Sequence, residues 1–339
     1  IKKLLTFCGK ITYKQFLVDI MANVIKIKKG LDINLKGKAS DVLLNGGKSD
    51  SYAIVPDYYN GIVPKVVAKV GEKVKAGSVL MIDKNRPEIK FVSPVSGEVT
   101  AVNRGEKRKV LSVVVKPEAQ IEYEDFGKKN VASLKREEVK EAILHAGMWP
   151  FIKQRPYDIV AAPLDTPRDI FVSAFYSAPL APNFDFIVKG QEADFQTGLN
   201  ALAKLTNGKV YVGVRSGSVV SGMKGVEIVE VEGPHPAANV GVQINHIKPV
   251  NKGEVVWTVN PADVIVIGRL FNKGVADFSR MVAITGSETT ERGYVKTISG
   301  CTIKSLVNGK VLGQEHIRII SGNVLTRYQG EYGWLPRRL

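Results

Sequence analysis

Between Val55 and Pro117, short apolar runs rich in β-branched residues are separated by Gly-Glu-Lys turns, and the pattern occurs twice. Gly61-Ile62-Val63-Pro64-Lys65-Val66 is echoed by Gly97-Glu98-Val99-Thr100-Ala101-Val102, and Gly71-Glu72-Lys73 by Gly105-Glu106-Lys107. Isolated hairpins are marginal in water, so two copies facing each other as a small sandwich are the natural way to bury both apolar faces. Val63, Val66 and Val70 are expected to supply the bulk while the Glu-Lys pairs stay wet. Ahead of the repeat, the alternation Val24-Ile25-Lys26-Ile27-Lys28-Lys29 predicts a strand, Gly30 a turn, and Leu31-Asp32-Ile33-Asn34-Leu35 a second strand. Residues 36–53 are polar and glycine-rich and read as a loop. Within it Asn45-Gly46-Gly47-Lys48 reads as a plain turn, because the spacing of a phosphate loop and its following helix are missing.

After Pro117 the period lengthens. Residues 133–147 carry apolar positions at helical spacing behind Ser133 as a cap, and a second helix is predicted from Glu192 to Leu205. Strands are predicted at Asp158–Ala162, Asp169–Ala174, Lys209–Val214 and Gly225–Val231. Strands alternating with helices at this pitch imply a parallel, Rossmann-like sheet. No Gly-x-Gly-x-x-Gly stands at a strand–helix turn; Gly213-Val214-Arg215-Ser216-Gly217 is the nearest, so a dinucleotide has no evident phosphate seat.

Gly233-Pro234-His235-Pro236-Ala237 and Ile247-Lys248-Pro249 read as a proline-punctuated connector, with His235 a turn histidine bonded to backbone. Pro261–Phe271 is a short buried helix or strand. Arg280–Gly286 and Gly293–Thr297 pair as strands before a helix-like Ser305-Leu306-Val307, the order of a small β-grasp domain. The chain is thus a multidomain α/β protein. Its expected divisions are 21–120 for the amino-terminal strands and sandwich, 121–232 for the Rossmann-like part, 233–275 for the connector and short helix, and 276–339 for the β-grasp part.

Composition narrows the possibilities. An apolar content of 44% with 24% charged residues describes a folded, water-compatible chain, and no apolar run approaches the roughly 20 residues needed to cross a bilayer. The formal charge of +15 favours an anionic partner. The lysines are dispersed, as at Lys26, Lys28, Lys29, Lys36 and Lys38, and lack the interleaved aromatics of a single-strand binder, so no nucleic acid is expected. Cys8 and Cys301 stand far apart, and His145, His235, His246 and His316 lack metal-site spacing, so no metal site is expected. Residues 1–20 are basic and mildly amphipathic without the core of a secretory signal. Met21-Ala22-Asn23 reads as a true start, which makes 1–20 an upstream or non-native extension.

The tandem module resembles the biotinyl/lipoyl-type barrel-sandwich hybrid, with Ser93-Pro94-Val95-Ser96-Gly97 opening its second half. Carriers of that family bear their cofactor on a lysine at the hairpin between the halves, where this chain has Asp83-Lys84-Asn85-Arg86-Pro87. A carrier or scaffold with Lys84 as attachment site is therefore the alternative reading. The tight spacing from Gly77 and the Arg86-Pro87 flank depart from the carrier pattern and favour a rigid scaffold.

Val24–Ile33, Gly233–Ala237 and Val282-Ala283-Ile284-Thr285-Gly286, in this domain order, resemble the A-subunit family of sodium-translocating NADH:quinone reductases, from Met21 to the mid-330s. More distant similarity extends to the C subunit of the Rnf complex and the nucleotide-binding subunit of complex I. Where those have a glycine-rich flavin/NADH loop, this chain has Ala146-Gly147-Met148-Trp149-Pro150-Phe151-Ile152-Lys153. The resemblance implies a peripheral subunit on the cytoplasmic face of the bacterial inner membrane, partnered by the other subunits and especially an integral membrane one. It also implies quinone reduction coupled to sodium export, in a complex that uses NADH, flavins, an iron–sulfur centre and ubiquinone. It further implies a carboxyl end that is cut short. No cofactor is expected on this chain, and no residue is expected to be catalytic in isolation. Trp149, Phe151 and Phe175 are the candidates for a quinone pocket, with core packing as their plain alternative.

Overall fold

The computed structural model describes residues 24–313, 317–325 and 328–329. The readings of residues 1–20, of His316 and of the carboxyl end at Arg337-Arg338-Leu339 fall outside them. The chain opens with β1 (Val24–Lys26), β2 (Leu43–Leu44) and β3 (Tyr52–Ile54). The tandem module follows as β4 (Pro64–Val66), β5 (Lys73–Val74), β6 (Val79–Asp83), β7 (Lys90–Val92), β8 (Gly97–Arg104) and β9 (Val110–Pro117). These strands form two facing sheets, β3-β9-β8-β5 and β4-β6-β7. The first copy gives β4 and β6 to one sheet and β5 to the other, so the copies interlock across the sandwich. Val74, Val95, Val99, Val113 and Val115 fill the space between. Val63 and Val70, expected to supply bulk, remain 45% and 63% exposed on the outer face.

Helix α1 (Arg136–His145) starts two residues later than a cap at Ser133 implies. Asn130 caps a short 3-10 turn at Val131–Ser133, and Leu134 is extended, so the helix begins after Lys135 with Glu138 bonding back to the Lys135 amide. Next come β10 (Lys153–Arg155), β11 (Ile159–Val160), β12 (Ile170–Ser173), α2 (Phe184–Val188), α3 (Glu192–Leu205), β13 (Val210–Val214), β14 (Glu227–Glu232), α4 (Val240–Ile247), β15 (Val256–Thr258) and α5 (Pro261–Lys273). One seven-stranded sheet runs β1-β14-β13-β12-β15-β10-β11. Five strands are parallel, whereas β10 and β11 form an antiparallel edge hairpin. The strand expected at 158–162 is thus a short edge strand, turned back by the tight bend at Arg155–Asp158.

Two stretches carry more structure than their sequence patterns imply. The supposed connector supplies α4, β15 in mid-sheet and the 13-residue α5, a helix rather than a strand, which Asn260 caps and Pro261 opens. It crosses α3 at glycines on both helices. A Cβ on Gly268 would lie 1.7 Å from the Asp194 carbonyl, and one on Gly198 would lie 2.1 Å from that of Val264. The glycine-rich stretch 36–53 is the other case, since its β2 pairs in parallel with β17 (Gly293–Ile298), beside β16 (Ser279–Ile284). Helix α6 (Ile303–Val307) and the small ladder of β18 (Ile320–Ser321) with β19 (Tyr328–Gln329) complete the β-grasp part. Gly47 hugs β17 there, its carbonyl accepting from the Thr297 hydroxyl at 2.8 Å, so Asn45–Lys48 is a turn built against a strand.

The predicted strand Leu31–Leu35 makes no ladder. Its backbone is claimed by the proline-rich segment: Leu31 N–H donates to the His235 carbonyl, and Asp32 accepts from the His235 amide at 2.8 Å. A Cβ on Gly30 would sit 2.1 Å from that carbonyl, and one on Gly233 would sit 2.2 Å from the carbonyl of Ile27. Only glycine permits this approach. The pairing seats β1 beside β14, at the far edge from β11, and takes it away from the sandwich that follows it in sequence.

Candidate functional site

The strand order places the topological switch point between β12 and β15, because the chain leaves β12 toward β13 on one side and returns to β15 on the other. Open α/β sheets bind ligands outside the carboxyl ends of their strands at such a point. A cavity of about 1130 Å³ opens there, lined by Ser173 at the end of β12, Thr258 at the end of β15, and Asn260 and Pro261 at the start of α5. The β-grasp part supplies the opposite wall through Met281–Ile284 and through Ile303 and Leu306. Lys153 and Arg155 of β10 also face it; their places opposite Thr258 and Val256 put them on one side of the sheet.

Of the predicted aromatic residues, Phe151 and Phe175 line the cavity. Phe151 is 1% exposed and packs edge-on against Phe278, and Phe175 is 7% exposed. Trp149 does not reach the wall. It is fully buried between β11 and β15, with Nε1 donating to the Ala161 carbonyl at 2.8 Å and its ring edge-on to Trp257. Gly147 turns the chain out of α1, and a Cβ there would meet Val92 of the sandwich at 2.5 Å. The stretch Ala146–Lys153 therefore packs against the neighbouring part with Met148 and Trp149 inside.

The other half of the sheet end is filled. Arg215 lies 4.6 Å over the Phe175 ring and donates to the carbonyls of Val231 and Gly233. Gln243 of α4 occupies the space a side chain at Gly213 would take, its Oε1 2.2 Å from an ideal Cβ, and donates to Ser173 and to the Ala237 carbonyl. His235 places Nδ1 3.0 Å from the Ser177 hydroxyl, which also accepts from Ala238 N–H. Its ring thus meets a side chain; only its main chain makes the expected backbone bonds. Pro261 removes one amide donor from the first turn of α5, and Asn260 occupies another.

Behind the cavity, Asp263 and Arg280 form an ion pair at 2.9 Å with both residues at most 5% exposed. Tyr176 stands on the wall with its hydroxyl 3.4 Å from Asn260; desolvation, then the charge of Asp263, raises its phenol far above the ordinary value, so it is neutral at physiological pH. Sequence reasoning missed Lys153, Arg155, Ser177 and Thr258. Its one available signal was the alternation of Lys153 and Arg155 after the apolar Phe151-Ile152.

Lys84 is exposed at the β6–β7 hairpin, but the hairpin is clamped. The buried Asp83 accepts from Arg86 Nε at 2.8 Å, and Arg86 reaches on to the carbonyls of Val160 in the α/β part and Gly61. Among the described residues no group of His, Cys, Asp and Glu is placed to hold a metal, and no helix is long and apolar enough to cross a membrane.

Three family models match the chain: the NqrA N-terminal barrel-sandwich hybrid domain over residues 25–118, the NqrA second alpha/beta domain over 134–276, and the NQRA C-terminal domain over 281–327. The A subunit of the Na(+)-translocating NADH-quinone reductase of Hahella chejuensis is 38% identical over 307 residues, covering 89% of this chain and 68% of the relative. The chain belongs to that A-subunit family. The A subunits of Neisseria meningitidis serogroup A and Photorhabdus laumondii are each 36% identical, covering 93% and 91% of this chain and 71% and 70% of theirs. The barrel-sandwich and α/β parts of the family account for the sandwich and the seven-stranded sheet. The two signature segments, Val24–Ile33 and Gly233–Ala237, are the pair that lock together through Gly30 and Gly233.

Proposed function

We propose that this chain is the A subunit of a sodium-translocating NADH:quinone reductase. It is a peripheral body on the cytoplasmic face of the bacterial inner membrane, held by an integral membrane partner and supporting quinone reduction coupled to sodium export. NADH, flavins and the iron–sulfur centre belong to its partners, because Arg215, Gln243 and the buried Met148-Trp149 stretch fill the space a nucleotide would need. A quinone headgroup asks for something different: an apolar slot with a few placed donors. The observation that carries this reading is the open cavity at the switch point, with Phe151 and Phe175 on its wall and the neutral Tyr176 hydroxyl beside them. Trp149 supports that wall from behind. The net charge of +15 favours an anionic bilayer surface at about 1 kcal/mol per Lys or Arg close to it.

Purification from membranes through a tag on this chain is expected to bring flavin-bearing integral partners and sodium-stimulated NADH:ubiquinone activity. A photoreactive quinone is expected to label the peptides that contain Phe151 and Phe175. Tight flavin or NADH on the isolated chain, or labelling confined to other subunits, would overturn the assignment of the cavity.

A further inference from the structure

The cavity has an electrical polarity that a neutral headgroup alone does not explain. Lys36, Lys153, Arg155 and Arg318 face it together with the carboxylate of Glu288. Two of the four cations lie on one face of β10, alternating with Gln154, and register with β15 places them next to the switch point. Lys153 is 1% exposed, and its ammonium lies 5.4 Å from the ring centroid of Tyr59, which holds it from the sandwich side. A cation kept away from bulk water acts on its surroundings through a lower effective dielectric, so this part of the wall favours negative charge more strongly than a surface lysine would. Arg155 Nη2 leans toward Asp158 at 3.5 Å, while its buried Nε makes no hydrogen bond. Much of the remaining wall is apolar or small, as at Met281, Val282, Ala283, Ile284, Ile303 and Leu306.

We propose that Lys153 and Arg155 form an oxyanion-selective subsite at the sheet end of this cavity. The subsite favours ligands whose ring oxygen carries negative charge, such as an ionised hydroxyquinone, over neutral quinones of the same size. This rests on the reading of the cavity as a quinone site and adds to it which charge state is held. Lys153 and Arg155 are specificity-determining residues under this proposal. The ammonium and guanidinium meet an oxygen that becomes more negative when the ring is ionised, and charge-assisted hydrogen bonds are about twice as strong as neutral ones.

The test measures binding of two probes to the full chain by calorimetry at neutral pH: 2-hydroxy-1,4-naphthoquinone, which is ionised there, and its neutral 2-methoxy analogue. The ionised probe is expected to bind roughly tenfold more tightly or better. Arg155→Gln and Lys153→Gln should each remove most of that preference and leave the neutral probe within about twofold, and Lys153→Arg should restore it. Arg155→Gln, at a partly exposed site, serves as the second variant if Lys153→Gln fails to fold. Equal binding of both probes, unchanged by the variants, overturns the subsite and leaves the quinone reading standing. Binding of the ionised probe alone supports the subsite and overturns the cavity as a site for neutral quinone. Failure of both probes to bind overturns both.

Discussion

The two halves of the sheet's carboxyl edge differ in what stands on them. Over β13 and β14, Arg215 stacks on Phe175 and Gln243 packs into the space above Gly213. Over β12, β15 and β10 the edge stays open, because the β-grasp part arches across as a roof and keeps a cavity beneath it. Both halves belong to one sheet, with β12 shared between them. The difference shows that a few long polar side chains folded inward can close one half of such a sheet edge, while a neighbouring domain leaves a cavity over the other.

If the open half depends on its roof, the largest effect should follow from cutting the roof's anchor. Asp263→Ala leaves Arg280 buried without its carboxylate, and removing one partner of a buried pair costs about 3–5 kcal/mol. Denaturant unfolding should show this loss, and quinone binding should fall with it. The closed half should respond less. Arg215→Ala removes a cation–π contact and two carbonyl bonds and should cost about 1–3 kcal/mol. It should not create NADH binding, because Gln243 still fills the space above Gly213; NADH binding by this variant would break the comparison.

A third test bears on the opposite, amino-terminal edge of the sheet. Desolvation opposes ionisation of Asp169, but hydrogen bonds from Lys248, the Lys209 amide and Arg168 outweigh it and hold the carboxyl below its ordinary value. A depressed carboxylate contributes stability above its unfolded value, near pH 4, and loses it as pH falls through the folded value. Unfolding followed from pH 5 downward should therefore steepen below about pH 4, and Asp169→Asn should flatten the curve. The smallest effect is expected at the sandwich. Lys84→Gln on the exposed hairpin should change stability by no more than about 0.5 kcal/mol. Intact-mass measurement of the native chain should show no adduct there, since Arg86 pins the hairpin to Val160 and Gly61 where a carrier lysine needs to swing.

Much of the fold is legible in local pattern. The helix Glu192–Leu205 has the ends its sequence predicts, β13 and β14 fall within a residue or two of their predicted places, and the doubled glycine pattern announces the sandwich. Trp149, Phe151 and Phe175 form one group in sequence because they are large and apolar. The structure separates them: two reach the cavity and one is locked behind it by a bond to Ala161. The polar half of the cavity wall is hidden in the sequence, since alternating Lys153 and Arg155 in a three-residue strand look like any solvated edge.

Composition and periodicity by themselves determined most of the strands and helices, because those choices depend largely on neighbours within a turn or two. Only the tertiary structure decided that Val24–Lys26 joins a strand about 200 residues away, that Leu43–Leu44 completes the β-grasp sheet, and that the supposed connector holds the strand beside the switch point. Parallel pairing leaves no local trace, since its partners are brought together by packing and by glycine contacts such as Gly30 on His235. A cavity between two domains is a property of how their surfaces fail to meet, and no stretch of sequence contains it.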